Sequence, residues 1–409
     1  MNQSTLLPTI LLLALPTMLT AAAPAEPGMA AAASPQNMNP ADCRGLQAFL
    51  GAPVSWPLQQ LWKGRGGTSI VTARDGTVIA FQSMASSKIR RSSDGGRTWG
   101  EDLEIGPGAT YGNAVVDETS GDILYVNPAQ QWLWRSRDLG LTWARETITV
   151  RPDGFGLVPN TVSSMQPGIT LQFGPHQGRL LMPGRIQGPK YSNDVEWRPY
   201  HYSTAVYSDD GGTNWQTSHP FPVLGTGEAA LAELSNGSIL YNSREHMSRG
   251  NRFMAWSHDG GALWLDAYRS PELPDGPRGS SYGCMGGMIR LPVEGLDILL
   301  YSNLDTDAGR MPERVGASIT KEREKITVWA SFNGGQTWPV KRLIFDGPSG
   351  YSNLAAGRAG TPSAGSIYLV FEGGPDGRRS GIQVAVFNLS WLLNGRELAD
   401  LGNQRSEPQ

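Results

Sequence analysis

One octet occurs five times along the chain and limits the possible fold more than any other feature. Its first copy, Ser92–Trp99, reads Ser-Ser-Asp-Gly-Gly-Arg-Thr-Trp, and the copies share the pattern Ser-x-Asp-x-Gly-x-Thr-Trp with small variations. The other copies are Ser136–Trp143, Ser208–Trp215, Ser257–Trp264 and Ser331–Trp338. Five copies that keep serine, glycine and tryptophan indicate a repeated structural unit.

The chemistry of the octet predicts a tight turn between two β-strands. The aspartate accepts hydrogen bonds from backbone N–H groups that follow it, and glycine supplies the positive φ that the turn requires. The tryptophan then begins a new strand and packs its ring between layers. The acidic position falls at Asp94, Asp138, Asp210 and Asp259, and at Asn333 in the last copy. Neighbouring copies are 44 to 74 residues apart, which fits one four-stranded blade with loops of variable length.

Alternating apolar residues and turn dipeptides indicate strands throughout the chain. The run Ser69–Ala73 is followed by an Asp-Gly turn and a second apolar run, Thr77–Phe81, as expected for a hairpin. Six such hairpins begin near Ser69, Asn113, Gly168, Ala229, Gly287 and Leu354. Helical periodicity is confined to two short stretches, Asp42–Leu50 and Leu389–Leu398. We therefore predict an all-β fold, a six-bladed β-propeller.

Composition fits many short strands and turns, and it excludes several classes of function. The 409 residues include 51 glycines, 29 prolines and 13 tryptophans, while only 17% are charged. The formal net charge of −3 gives no sign of nucleic-acid binding. No phosphate-binding loop, Cys/His metal cluster or His-Glu-x-x-His motif occurs, so the sequence requires no cofactor and no metal. Cys43 and Cys284 either form one disulfide or remain two buried thiols.

The N-terminal region has the pattern of a secretory signal. Residues Ile10–Leu19 form an apolar core of the right length, and small residues suited to cleavage follow at Ala21–Ala25. We predict a signal peptide at 1–25, a linker and N-terminal extension at 26–50, the propeller at 51–395 and a C-terminal tail at 396–409. The protein is expected to be secreted and monomeric, with no membrane span.

The octets resemble the Asp-box repeat, a signature of sialidase-type β-propellers and of several other secreted propeller proteins. The order of segments from about Trp62 to Leu393 also resembles that of an exo-α-sialidase. Tyr111–Asp117 is similar to the family's second-blade strand, Gly178–Arg185 to part of the third blade, and Asn388–Leu393 to the closing segment. The resemblance implies a propeller that acts on glycans ending in sialic acid or a related 2-keto acid sugar.

Three arginines match positions at which the family binds the carboxylate of its substrate. A guanidinium group binds a carboxylate through two parallel hydrogen bonds, so an arginine cluster provides both position and charge. Two of the three lie just upstream of octets, as in the family, and the third lies on the first predicted blade. The resemblance therefore implies that Arg65, Arg252 and Arg323 hold the substrate carboxylate.

The nucleophile that the resemblance implies is Tyr351. Sialidases use tyrosine where most retaining glycosidases use a carboxylate. A neutral phenol is not repelled by the substrate carboxylate, but a base must activate it. Glu228 matches the family's base, whereas its rival Glu233 fits a structural strand position better. Glu372 matches the glutamate that orients one of the arginines.

The first predicted blade lacks the aspartate that serves the family as acid and base. The corresponding stretch, Phe81–Arg91, contains neither Asp nor Glu, and Ser86 or Ser87 takes the place of that aspartate. A serine hydroxyl is too weak an acid to protonate a leaving group, and such help is typically worth about 10²- to 10⁴-fold in rate. Either an acid from another loop, such as Asp194 or Glu196, enters the site, or the substrate and its chemistry differ.

Three functions are consistent with these residues. The leading hypothesis is a retaining exo-glycosidase that acts on terminal sialic acid, with Tyr351 as nucleophile and Glu228 as base. The second is a glycan-binding propeller that retains the arginines but lacks catalysis, and the third is a hydrolase or lyase for another acidic glycan. The matching arginines, tyrosine and glutamate favour the first hypothesis, whereas the altered first blade favours the others.

Overall fold

The computed structural model describes residues 43–64, 66–82, 87–159, 166–188, 190–192, 194–247, 250–275, 283–305, 323–377 and 380–401. These residues all belong to one unit, Ser34–Gln409. The predicted signal peptide, most of the predicted linker, the end of the predicted tail, Arg65 and Ser86 lie outside the described residues.

Almost all of the regular secondary structure in the described part of the chain is β-strand, as the alternating apolar pattern predicted. We number 24 strands in chain order within these residues. The first are β1 (Gln59–Lys63), β2 (Thr68–Thr72), β3 (Val78–Gln82), β4 (Lys88–Ser92), β5 (Leu103–Glu104), β6 (Asn113–Val116), β7 (Ile123–Asn127), β8 (Trp132–Ser136), β9 (Ala144–Thr147), β10 (Thr149–Arg151), β11 (Ile169–Thr170) and β12 (Leu180–Ile186). The others are β13 (Tyr202–Ser208), β14 (Asn214–Thr217), β15 (Thr226–Glu233), β16 (Ile239–Glu245), β17 (Asn251–Ser257), β18 (Leu265–Pro274), β19 (Gly287–Arg290), β20 (Leu299–Leu304), β21 (Glu324–Ser331), β22 (Val340–Ala356), β23 (Ile367–Gly373) and β24 (Gly381–Phe387).

Within the described residues, helical structure is limited to short segments. The helices are α1 (Leu46–Phe49), α2 (Leu389–Leu393) and α3 (Leu398–Leu401), and single 3-10 segments occupy Pro128–Gln130, Gly174–His176 and Val195–Tyr200. The two predicted helical stretches contain α1 and α2. The side chain of Asn388 accepts a hydrogen bond from the Trp391 N–H and so fixes the start of α2. Among the described helices, none is long and apolar enough to cross a membrane.

The strands form sheets that follow one another along the chain in a propeller-like arrangement. Four-stranded sheets contain β2–β5, β6–β9 and β15–β18, and a five-stranded sheet contains β10–β14. Strands that pair within a sheet are antiparallel, as in the hairpin from β2 to β3, except that β10 and β14 pair in parallel. Antiparallel neighbours can be joined by tight turns, which explains the turn dipeptides between the predicted strands.

The last part of the chain forms a seven-stranded sheet in the order β1-β24-β23-β22-β21-β20-β19. The long strand β22 pairs with β21 through residues 340–348 and with β23 through residues 349–356. Strand β1 pairs with β24, with Gln59 opposite Val384, so the first strand of the described chain is bound to the last. This closure brings side chains from distant parts of the sequence close together.

The octets form the hydrogen-bonded turns that their chemistry predicted. In the first copy, Asp94 Oδ1 accepts hydrogen bonds from Ser92 Oγ over 2.8 Å and from the Thr98 N–H over 2.9 Å. The Gly96 N–H donates to Ser92 Oγ over 2.8 Å. The other four copies repeat the same serine and aspartate or asparagine contacts.

Buried apolar residues form six clusters within the described chain. Five of them are shared by neighbouring sheets; Leu124 of β7, for example, packs with Leu180 of β12. The sixth lies within the seven-stranded sheet and beside α1 and α2. Each octet places its tryptophan in a different cluster, and these are Trp99, Trp143, Trp215, Trp264 and Trp338. The rings therefore pack between layers, as predicted.

The two cysteines belong to the apolar core. Cys43 and Cys284 lie in the same cluster of buried residues. Cys284 is a thiol, and burial raises its pKa. The sequence left open either a disulfide or two buried thiols, and the structure has a buried thiol at Cys284.

Candidate active site

Strands β15, β16 and β22 bring three polar side chains together although the chain separates them widely. Glu228 lies on β15, Arg244 on β16 and Tyr351 on β22. The pairing of β15 with β16 is irregular between Thr226 and Ala229, and Glu228 lies within this irregularity. Such irregularities re-aim a side chain and are frequent beside active sites.

Tyr351 and Glu228 form a phenol–carboxylate pair at the centre of this cluster. The Tyr351 hydroxyl donates a hydrogen bond of 2.9 Å to Glu228 Oε1. Burial, and then the negative charge of Glu228, raise the pKa of Tyr351 to about 12. Burial alone would raise the pKa of Glu228, but the charges of Arg244 and Arg185 outweigh it and hold that pKa below its usual range. At neutral pH the pair is a protonated phenol on a carboxylate, which is the arrangement that a nucleophile and its base require.

Arg244 completes the cluster and was not among the site residues predicted from the sequence. Its Nη1 donates to Glu228 Oε2 and, over 3.2 Å, to the Tyr351 hydroxyl. The side chain is only 1% exposed, so the Glu228 carboxylate is the counter-charge that makes its burial tolerable. A signal did exist in the sequence, because Arg244 follows Glu228 by 16 residues and comes three residues after the run Ser238–Tyr241 of the same predicted hairpin.

Arg252 does not join the phenol–carboxylate pair, so its predicted role as a carboxylate ligand is corrected here. Its Nη1 donates to Asp275 Oδ1 over 2.7 Å and to the Cys284 carbonyl over 2.9 Å, while its Nε donates to Asn242 Oδ1 over 2.5 Å. Its Nη2 donates to the backbone carbonyls of Asn242 and Glu228. Arg252 is 0% exposed, and protein atoms already occupy its donors on all three nitrogens.

Arg323 is the predicted carboxylate ligand that the structure places beside Tyr351. Its guanidinium carbon lies 5.6 Å from the centre of the Tyr351 ring, and that of Arg244 lies 6.0 Å from the same point. Arg323 Nη2 donates to the Gly283 carbonyl over 2.6 Å, while its buried Nε has no hydrogen-bond partner among the described residues. Two guanidinium groups near one phenol can bind a carboxylate next to the phenol oxygen.

Glu372 lies close to the chain that carries Tyr351. It is 3% exposed on β23, where Ser352 of β22 pairs with Phe371. A Cβ atom on Gly350 would lie 2.8 Å from Glu372 Oε2, so a side chain there would crowd the carboxylate. The expectation that Glu372 orients an arginine stays a prediction, because Arg65, one of the predicted carboxylate ligands, lies outside the described residues.

A further buried group lies beside Glu228 and consists of Arg185, His201 and His246. Arg185 Nη1 is 3.6 Å from Glu228 Oε1, and the two imidazole rings pack edge to face with their centres 5.6 Å apart. Burial and the charge of Arg185 lower the pKa of His201 to about 4, while burial and the charges of Arg244 and Arg185 lower the pKa of His246. Both rings are therefore neutral at neutral pH. In the sequence these residues are scattered, and the third-blade resemblance around Arg185 offered one signal.

The position at which the resemblance expects an aspartate is only partly described. Ser86 lies outside the described residues, and Ser87 donates a hydrogen bond of 3.0 Å to a backbone carbonyl. The two acids considered as replacements, Asp194 and Glu196, are exposed, and Asp194 accepts a hydrogen bond from Ser192 over 2.8 Å. Within the residues that the structure describes, no group of histidines, cysteines and carboxylates is arranged to hold a metal ion.

Known proteins resemble this chain over most of its length. The model of the BNR repeat-like domain family matches residues 88–364. A sialidase from Micromonospora viridifaciens is 30% identical over 361 residues, which cover 79% of this chain and 50% of the relative. A sialidase from Bacteroides fragilis is 25% identical over 329 residues, which cover 70% of this chain and 54% of that relative. The chain thus spans about half the length of the curated relatives it matches.

Solved structures share the fold at lower sequence identity. The NanB sialidase from Streptococcus pneumoniae has a TM-score of 0.59 at 14% identity, over 83% of this chain and 72% of that chain. The intramolecular trans-sialidase from Ruminococcus gnavus has a TM-score of 0.55 at 15% identity, over 80% of this chain and 94% of that chain. These similarities bear on the fold and support the propeller-like arrangement of the sheets.

Proposed function

This chain belongs to the sialidase superfamily of BNR-repeat glycoside hydrolases, and we propose that it is an exo-acting, retaining hydrolase of terminal sialic acids or related 2-keto acid sugars. The observation that carries the proposal is the contact among Tyr351, Glu228 and Arg244. A phenol hydrogen-bonded to a buried carboxylate is suited to nucleophilic attack, and tyrosine is the exceptional nucleophile of sialidases among retaining glycosidases.

The proposed chemistry consists of two displacements at the anomeric carbon. First, the Tyr351 oxygen attacks that carbon and its proton passes to Glu228 Oε1. The bond to the glycosidic oxygen breaks, and the leaving group takes a proton from solvent. Water then attacks the same carbon and releases a proton, while the phenol oxygen departs and recovers its own proton from Glu228. Two displacements at one carbon retain its configuration.

The substrate carboxylate is assigned to a revised set of arginines. Arg244 replaces Arg252 in the proposal, since Arg244 is the one that contacts the nucleophile and its base. Arg323 keeps its predicted role, which its distance from the Tyr351 ring supports. Arg65 is retained as the third ligand on the resemblance alone. Guanidinium groups placed here also stabilise the negative charge of the substrate during attack.

The proposal includes a preference for leaving groups that depart without acid help. The stretch Phe81–Arg91, which corresponds to the stretch that carries the acid in the family, contains neither Asp nor Glu. Since general acid help is worth about 10²- to 10⁴-fold, its loss affects alkyl glycosides, whose leaving groups are poor, far more than aryl glycosides. A leaving group of low pKa should therefore be released much faster than a sugar alcohol.

Two finer aspects of the architecture belong to the same proposal. We interpret the seven-stranded sheet as two blades joined through β22, which gives six blades, and the octets as Asp-box repeats. The change of pairing partner between residues 348 and 349 and the apolar cluster within that sheet support this interpretation. The signal pattern at 1–25 supports secretion, so the partners we propose are extracellular glycans that carry sialic acid or another acidic sugar.

Replacing Tyr351 by phenylalanine tests the proposed function. Tyr368 provides a matched control, because it is a tyrosine of the same sheet and its hydroxyl also donates a hydrogen bond, over 3.1 Å to the Gly95 carbonyl. Turnover of an aryl sialoside should fall by about 10³-fold or more in Tyr351→Phe and stay within about twofold in Tyr368→Phe. Full turnover by a correctly folded Tyr351→Phe protein would rule out the mechanism.

A natural sialoside, run beside the aryl sialoside, tests the absence of the acid. We expect turnover of the aryl compound and little or none of the natural one. Comparable turnover of both would mean that another residue supplies the proton, and this part of the proposal would be wrong.

A glycan-binding propeller is the second candidate, and the acid-free stretch Phe81–Arg91 is the observation that favours it. It predicts that calorimetry detects binding of a sialoside while no free sugar is released from any sialoside. The same panel should contain an aryl glucuronide, because turnover of that compound alone would instead assign the site to another acidic glycan.

A further inference from the structure

Arg185 occupies a place beside the base that the proposed mechanism does not yet use. It lies on β12, in a different sheet from Glu228, and pairs there opposite Ser203. Both partners are nearly inaccessible, since the side chain of Arg185 is 6% exposed and that of Glu228 is 9% exposed. Opposite charges interact much more strongly in such a setting than they do at a hydrated surface.

The contact falls on the oxygen that has to receive the proton of Tyr351. Arg185 Nη1 is 3.6 Å from Glu228 Oε1, and that same oxygen accepts the hydrogen bond of the phenol. Arg244 instead donates to the other oxygen, Oε2. The two guanidinium groups therefore act on different oxygens of one carboxylate, and Arg185 acts on the one that takes part in proton transfer.

Packing keeps Arg185 close to the backbone that carries Glu228. A Cβ atom on Gly227 would lie 3.0 Å from Arg185 Cδ and 2.1 Å from His246 Nε2, so only glycine leaves room for both side chains. His246 in turn packs against His201. Arg185 is thus held against the strand of Glu228 by close contacts and not by charge alone.

Other charged and titratable groups around Glu228 contribute in different ways. Those that interact with Glu228 itself are Arg244, Arg252, Tyr351, Cys284 and His201, and those that interact with these neighbours are Arg323, His246 and Glu372. The two histidines add no charge at neutral pH because burial and Arg185 lower their pKa values. Arg252 contacts only the backbone carbonyl of Glu228, while its side chain is paired with Asp275.

We propose that Arg185 is a positioning residue that keeps Glu228 ionised and its Oε1 turned towards Tyr351. The predicted effect on activity rests on the proposed function, whereas the predicted effect on the ionisation of Glu228 does not. A nearby cation favours the ionised carboxylate, so the base stays available at lower pH. Because the base must be ionised to accept the phenol proton, activity is lost as the pH falls through the pKa of Glu228, and Arg185 moves that loss to lower pH.

The test compares Arg185→Met, which removes the charge, with Arg185→Lys, which keeps it. Arg179→Met is the matched control, since Arg179 is also a buried arginine, precedes the same strand and pairs with Asp209. The acid limb of the pH profile of kcat/KM for an aryl sialoside should move up by about one pH unit in Arg185→Met. It should stay in place in Arg185→Lys and in Arg179→Met, even where the latter lowers the unfolding temperature.

A second readout does not depend on turnover. Carboxyl-carbon NMR of protein labelled at glutamate, with the resonance of Glu228 identified from Glu228→Gln, follows the ionisation of this group directly. The Glu228 midpoint should rise by about one pH unit in Arg185→Met and return towards that of the wild type in Arg185→Lys.

The outcomes separate this inference from the proposed function. If no sialoside is turned over but the Glu228 midpoint rises in Arg185→Met, the proposed function fails and the role of Arg185 stands. If turnover is observed and both the acid limb and the Glu228 midpoint are unchanged in Arg185→Met, the role of Arg185 is refuted while the proposed function survives.

Discussion

Replacing Arg252 by methionine removes the cationic half of a buried ion pair. The variant tests whether Arg244 or Arg252 binds the substrate carboxylate. The side chains of Arg252 and Asp275 are 0% and 1% exposed, and their closest atoms are 2.7 Å apart. If Arg252 is structural, the variant should lose stability while the folded fraction keeps its activity. Arg244→Met, the matched variant on the adjacent strand, should lose activity instead.

The magnitude follows from what Arg252 leaves behind. Breaking a buried pair by removing one partner typically costs about 3–5 kcal/mol, because the other charge stays buried without compensation. Asp275 would keep only its hydrogen bond from the Glu245 N–H, at 2.6 Å, among the contacts described for its carboxylate. Burial already raises the pKa of Asp275 to about 6, so loss of Arg252 favours its protonation and places the expected value at the lower end of that range.

Equilibrium unfolding in urea, followed by tryptophan fluorescence, measures this loss. The double variant Arg252→Met/Asp275→Leu should recover much of it, since replacing both members of a buried pair by apolar groups is often close to neutral. Aryl-sialoside turnover, assayed below the unfolding midpoint, should change by less than about threefold in Arg252→Met and fall by about 10²-fold or more in Arg244→Met. A stable Arg252→Met protein with strongly reduced substrate binding would refute this assignment.

Two further predictions concern the turns and the histidine pair. Asp94→Ala removes the acceptor from the first octet and should lower the free energy of unfolding by about 1–2 kcal/mol in urea titrations. The control Ser93→Ala, at an exposed variable position, should have no effect. Equal effects of the two variants would contradict the predicted role of the octet in the turn. The pKa of His201 is lowered from 6.5 to about 4, so the unfolded chain takes up the proton first and stability falls as the pH falls between these values. His201→Gln should reduce the slope of the free energy of unfolding against pH by up to about 1.4 kcal/mol per pH unit, which corresponds to one proton. The control His219→Gln, at an exposed position, should leave the slope unchanged. An unchanged slope in His201→Gln would show that the surroundings of His201 do not disfavour the charged ring.

Local features of the fold were predictable because they depend on few neighbouring residues. The octet turns follow from hydrogen bonds within eight residues, as between Asp94 and Thr98. The hairpins follow in the same way from alternating apolar residues and turn dipeptides. The continuous pairing of β22 with strands on both sides was not predictable, because residues 346–350 read Asp-Gly-Pro-Ser-Gly, a run typical of a turn that ends a strand.

The site shows where sequence reasoning reaches its limit. Tyr351 and Glu228 were identified through the resemblance, and their contact spans 123 residues that only the closed set of sheets can bring together. Choosing between Arg244 and Arg252 was harder, because they lie on adjacent strands, each one residue beyond the pair Ser243–Phe253. Whether each guanidinium meets Glu228 or Asp275 depends on side-chain packing that no local pattern encodes.

Trapping the covalent intermediate tests the central claim most directly. A sialosyl fluoride with a second fluorine beside the anomeric carbon reacts without acid help, and the second fluorine slows hydrolysis by destabilising the positive charge of the transition state. Mass spectrometry of protease fragments should then show one sugar adduct on Tyr351 in the wild-type protein and none in Tyr351→Phe. An adduct on another residue, or release of free sugar by Tyr351→Phe at the wild-type rate, would contradict the assignment of Tyr351 as the nucleophile.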